Sequence, residues 1–186
     1  MKNILVIITI ILTSFQVKAQ IIKEKSIDAS IGFGLTSPYD DVDITGTGFY
    51  LQGEYVLKLA SWVDVRPYAG LILTKPQSDD NQEYGPDYKA TTKAFLIGGK
   101  TRIKAPIPWV APYIEFGVGA SMGSFETYTP YTNLEDNGLI VHIPFSLGLE
   151  LGKKHNFDVA FTYYYHPSMQ QFAGAFAFGL SIPLSS

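Results

Sequence analysis

The chain contains no cysteine among its 186 residues. That excludes a disulfide framework, a thiolate metal centre and a lipid-modified cysteine behind an export signal. Histidine is scarce as well: His142, His155 and His166 are scattered and do not read as a metal site. Charged residues make up only 17% of the chain and the formal net charge is −3, so the basic excess that nucleic acid demands is missing. Long apolar runs are also missing. The one near the start, Ile4 to Leu12, falls well short of the roughly 20 residues a spanning helix needs. Beyond it, no stretch places apolar residues at helical spacing for three turns. The pairs Gly32/Gly34 and Gly117/Gly119 alternate along extended segments and do not open a helix, so neither is a phosphate loop.

What is present starts with Lys2, the apolar run, a polar step at Thr13 and Ser14, and the small residues Val17 and Ala19 around Lys18. This is the layout of a secretory signal peptide, read as residues 1–19 with cleavage before Gln20. Its removal takes away Lys2 and Lys18 and no acid, so residues 20–186 carry 12 basic groups against 17 acidic ones. They form one domain's worth of sequence, with no linker to divide them.

Twelve Tyr, twelve Phe and seventeen Gly accompany recurrent period-2 alternation, which makes the domain all-β. Eight strands are predicted near residues 25–35, 47–58, 62–74, 90–103, 110–122, 139–151, 156–166 and 172–184. Connections alternate in kind. Ser37 to Gly46, Lys75 to Tyr88, Gly123 to Asn137 and the shorter Pro167 to Gln171 are polar loops, whereas Leu59 to Ser61, Lys104 to Trp109 and Gly152 to His155 are tight. Such alternation is what transmembrane barrels show, with both termini on the periplasmic, short-turn side.

In the sixth strand Leu139, Val141, Ile143, Phe145, Leu147, Leu149 and Leu151 oppose Ile140, His142, Pro144, Ser146, Gly148 and Glu150. The small and charged face suits the crowded interior of an eight-stranded barrel, so the bulky apolar face is assigned to lipid. A soluble lipocalin-like binding protein would invert that arrangement. The fold expected is therefore an eight-stranded antiparallel up-and-down transmembrane β-barrel. Phe49, Tyr163, Tyr165 and Phe172 toward the loops, and Tyr55 and Phe157 toward the turns, are candidates for interface girdles.

Asp28, Glu54, Lys58, Asp64, Arg66, Lys100, Arg102, Glu115, Glu150 and Asp158 all point inward near the short turns and are expected to form one salt-bridged layer. Its structural reading is a polar core that fills the lumen and sets register; its functional reading is a selectivity ring. Above it Gly32, Gly34, Gly70, Gly98, Gly119, Ser121, His142, Thr162 and Tyr164 are expected to leave a small hydrated cavity open toward the loops. His142 and Ser146 lie roughly 13 Å apart along one strand, too far for a nucleophile and its base. Phe125, Glu126, Tyr128 and Tyr131 in the third loop are candidates for an exposed contact surface. The acids of the first two loops, Asp40, Asp41, Asp43, Asp79, Asp80, Glu83 and Asp87, either hold divalent cations or only keep those loops solvated.

With a signal, eight strands, alternating loop classes and the aromatic last strand Phe172, Phe176 and Phe178, the chain resembles OmpX-like proteins and the transmembrane domain of OmpA-type proteins. Lipid A deacylases share that architecture with a His-x-Ser motif that this chain lacks. The resemblance implies a cell outer-membrane location, contact with outer-membrane lipid and lipopolysaccharide, and recognition by the barrel assembly machinery through Phe176, Phe178 and Leu180 in place of a terminal aromatic. The expectation is a non-enzymatic monomer without cofactor or metal, structural or bound to an extracellular ligand or surface. A narrow pore for small solutes and a lipid-modifying enzyme are the alternatives.

Overall fold

The computed structural model describes residues 22–77 and 88–184. The signal read at residues 1–19, and Asp79, Asp80, Glu83 and Asp87 of the second loop, lie outside the described residues. Eight strands follow in order: β1 (Glu24–Pro38), β2 (Gly46–Lys58), β3 (Val63–Pro76), β4 (Lys89–Lys104), β5 (Val110–Tyr128), β6 (Asn133–Leu151), β7 (Phe157–His166) and β8 (Gln171–Pro183). Each pairs antiparallel with its sequence neighbours, and β8 pairs with β1 to close the barrel.

The register gives the tilt. Starting at Leu139 and stepping strand to strand through Met122, Phe95, Leu71, Leu51, Ile31, Phe178 and Val159, the circuit returns to β6 at Leu149, ten residues from its start. A shear of that size on eight strands places the tilt near the usual range of roughly 35–45°. The outward run Leu139 to Leu149 therefore rises about 25 Å, the height of an outer-membrane apolar band.

Alternation decides the faces. Val118 is 62% exposed, Leu139 65% and Phe178 55%, whereas the interleaved Glu115, Ser121, His142 and Ala175 are buried. Water would not tolerate so large an exposed apolar surface, and in hydrocarbon closure pairs the backbone groups and abolishes sheet edges. The soluble, inverted alternative therefore fails. Trp62 and Trp109, both exposed, join Tyr55 and Phe157 at the short-turn end, where amphipathic rings favour the membrane interface.

One boundary differs in kind from the sequence reading. Residues 123–137 are not a long loop: β5 and β6 continue as a ladder to Tyr128 and Asn133, joined by only Thr129 to Thr132. Alternation persists through this stretch, but its outward positions turn polar at Ser124, Glu126, Asn137 and Glu135. Polarity there marks exit from the belt and not the end of the strand.

Candidate functional site

The interior has two storeys. Nearer the short turns, Arg66 on β3 reaches Asp28 at 2.6 Å, Glu54 at 3.0 Å and Asp64 at 3.2 Å. Lys100 on β4 bridges Glu54 at 2.7 Å and Glu115 at 2.6 Å. Arg102 binds Glu115 at 2.6 Å, Glu150 at 2.9 Å and Asp158 at 2.9 Å, and its guanidinium lies 3.6 Å from the centre of the Tyr113 ring. Tyr113 in turn donates its hydroxyl to Asp158. Buried guanidinium forks with several carboxylates each are the geometry in which charge is tolerated away from water.

The structure thus brings together nine of the ten residues read as a lumen layer, and moves one out of it. Lys58 lies at the rim, paired with Glu24 at 2.7 Å, both partly exposed. Its strand ends there, so its flexible stem reaches water rather than the crowded centre. Lys104 takes an inner place instead, 3.2 Å from Asp64 and 3.1 Å from Glu150. The signal for it was present, since it continues the inward parity of Lys100 and Arg102, but it was assigned to the turn.

Below the charges a vestibule of about 170 Å³ opens at the short-turn end, between Asp28, Lys58, Asp64, Lys104 and Glu150. Within the layer, the space beside Gln52, Lys100 and Glu115 is only about 20 Å³, enough for a single water.

The upper storey is not the hydrated cavity expected from its glycines and His142. Tyr50, Tyr68, Ile72, Leu96, Phe125, Ile140, Tyr164 and Met169 fill it as one buried cluster. Glycines make room for rings that arrive from neighbouring strands. A Cβ on Gly148 would lie 2.3 Å from the Tyr113 ring, and one on Gly119 would lie 2.4 Å from the Tyr68 hydroxyl. The small residues are the negative of the aromatics, so the lumen ends filled.

Polar groups thread this cluster in two chains. Gln52 donates to Glu54, Tyr164 donates to Gln52, and Tyr50 therefore donates to Tyr164. In the other, Tyr68 meets His142 Nε2, while Ser121 Oγ lies 2.7 Å from His142 Nδ1 and 2.9 Å from His166 Nε2. The sequence treated His142 and His166 as unrelated; barrel closure puts both on one serine. Ser146 instead meets Thr162 at 3.0 Å. Ser121, His142 and His166 are fully buried under the Phe125 and Tyr164 rings. Among the described residues, no group of acidic, histidine or cysteine side chains has the arrangement of a metal site.

Over the top, the loops pack on one another. Thr129 bonds Asp40, Thr132 donates to Gln170, Thr127 donates to Gln171, and Ile44 is buried beneath them. Tyr39 stacks on Tyr165 at 5.5 Å, and burial pushes its hydroxyl pKa up. Of the four proposed contact residues, Phe125 is a correction: it faces inward and is fully buried, because β5 continues through it. Glu126 is held by Lys89 at 2.7 Å and Thr91 at 2.8 Å, and Tyr128 donates to Glu135. Tyr131 is 79% exposed at the hairpin tip.

Comparison with known proteins turns on this architecture, since no family model and no curated relative matches the chain. Neisserial surface protein A superposes with a TM-score of 0.61 at 11% identity, over 86% of this chain and 97% of that one. The fold is that of the small eight-stranded outer-membrane barrels. Ail, the attachment invasion locus protein of Yersinia pestis, gives 0.49 at 15% identity over 87% of this chain and 99% of its own. The outer membrane enzyme PagL gives 0.46 at 15% identity, over 86% and 99%.

Proposed function

We propose that this barrel is an integral outer-membrane protein with its short turns and both termini in the periplasm, and that it works by contact at the cell surface rather than by transport or catalysis. The observation that carries this reading is the projection of β5 and β6. The β6–β7 ladder stops at Ile143 opposite Tyr165, yet β6 runs ten residues further, to Asn133, while still paired with β5. Among the described residues its edge toward β7 has no strand partner over that length, although the 3-10 turn Pro167–Met169 packs against part of it; the part beyond Leu139, above the belt, is a template for an extended segment of another chain.

The lumen argues the other way for transport, because the rings of the upper storey and the ion pairs of the lower one occupy it. Burial of Ser121 and both histidines under aromatic rings favours a structural role for that cluster over a lipid-modifying one. Contact with lipopolysaccharide and delivery by the barrel assembly machinery belong to the same proposal and follow from the apolar belt and the location.

The test is display of the wild-type chain, and of a variant with residues 126–135 replaced by a short glycine turn, on cells lacking the gene. Adhesion to immobilised host-matrix proteins and to abiotic surfaces is scored against heat-modifiable gel mobility as the folding control. Loss of adhesion with an intact barrel supports surface contact. Equal adhesion by both, or by cells without either, would overturn it.

A further inference from the structure

A second feature lies on the opposite end of the wall and does not depend on the hairpin. Between β4 and β8 the outer surface carries an apolar groove of about 650 Å³. The register builds it. Ile103, Ile114, Leu147, Phe161 and Phe176 stand side by side in one row across five strands. The next row toward the turns is lower, because Pro112 and Val159 flank Leu149 there. Gly148 faces Ala160 between the two rows, where the Tyr113 ring occupies the space inside the wall.

The groove descends to two short turns that are tied together. The Gly152 N–H donates to the Trp109 carbonyl at 2.8 Å, and His155 Nε2 lies 3.1 Å from the Ile107 carbonyl. Trp109 sits at φ 73°, a left-handed conformation rarely adopted by a bulky side chain. Its ring is exposed, and the Lys153 ammonium lies 5.1 Å from the ring centre. Lys154, also exposed, lines the vestibule at the mouth of the lumen instead. Neither lysine is paired with a carboxylate among the described residues.

We propose that this is a site for one anionic phospholipid of the leaflet at the short-turn end, with an acyl chain in the groove and the phosphate on Lys153. Three observations agree on that occupant. The groove lies within the belt, where only hydrocarbon can fill it; an interfacial tryptophan marks the level of the glycerol esters; and the Lys153 ammonium stands over that ring, where a headgroup would be.

The chain has two tryptophans, so Trp62→Phe makes Trp109 the sole reporter. That variant is reconstituted in phosphatidylcholine vesicles containing increasing fractions of phosphatidylglycerol brominated on its acyl chains, with brominated phosphatidylcholine as the reference. Quenching of Trp109 should report a preference for the anionic lipid of about fivefold over its bulk fraction. Lys153→Gln should return quenching to the bulk fraction, whereas Lys154→Gln, at the vestibule, should leave the preference in place. Val159→Phe, which fills the groove floor, should weaken quenching by both brominated lipids. Heat-modifiable mobility verifies that each barrel is folded. Quenching that follows bulk composition in the reporter protein, a preference that survives Lys153→Gln, or one lost equally with Lys154→Gln, would overturn the site.

Discussion

At the scale of single residues, the interior is governed by what leaves a partner stranded. Arg66 serves Asp28, Glu54 and Asp64 at once. Its replacement by Leu should therefore cost about 3–5 kcal/mol, because Asp28 is left without a cation and Glu54 and Asp64 keep only Lys100 and Lys104 in a closed space. Lys58→Ala, at the rim, should cost no more than about 1 kcal/mol. Urea unfolding in lipid vesicles, read by the gel mobility of folded and unfolded forms, distinguishes the two, and similar losses for both would contradict the layer's closure. Gly148→Ala tests shape instead of charge. Its methyl group meets the Tyr113 ring, so about 1–3 kcal/mol of stability should be lost. In a Tyr113→Leu background the same glycine change should cost much less; an equal cost there would show that the glycine serves the backbone and not the ring. The charged residues themselves were legible beforehand from inward parity near the short turns. Lys104 and Lys58 exchanged roles because parity says which way a side chain points and not how deep it reaches.

At the scale of elements, the extension of β5 and β6 separates a strand from a membrane span. Both strands have 19 residues, more than the nine to eleven needed to cross. Successive residues on a strand aim their N–H groups at opposite sides, so proline scanning can identify the open edge. Of Gly138→Pro and Leu139→Pro, one should break the β5 ladder and lower stability, while the other should leave the fold intact and abolish only surface contact. Equal damage from both would mean that the β6 edge is already paired. Phe125 belongs to this scale too. It looked like a loop aromatic because its neighbours Ser124, Glu126 and Thr127 are polar, yet it keeps the inward parity of Ser121 and Gly123 and its ring joins the buried cluster. Reading polarity as the end of a strand is sound for a soluble hairpin but not for one that leaves hydrocarbon and continues in water.

For the whole molecule, closure has two measurable consequences. The chain should stay with membranes through an alkaline carbonate wash and migrate at a different apparent mass until boiled; release by carbonate would refute a transmembrane barrel. Planar bilayers containing it should show no conductance step, because the filled upper storey and ion-paired lower storey leave no continuous path. A step altered by Arg102→Ala would instead reveal a pore through the charge layer. The sequence by itself determined the strand number, the lipid-facing side and the types of charge inside, since period-2 patterning is local and each strand carries its own copy. Only the tertiary structure decided which carboxylate meets which base, that His142 and His166 share Ser121, and that the glycine-lined upper lumen is occupied by rings. Those contacts join residues as far as 114 positions apart in the chain. They exist only once the ten-residue shear brings particular rungs of different strands to the same level, and no window of sequence contains that offset.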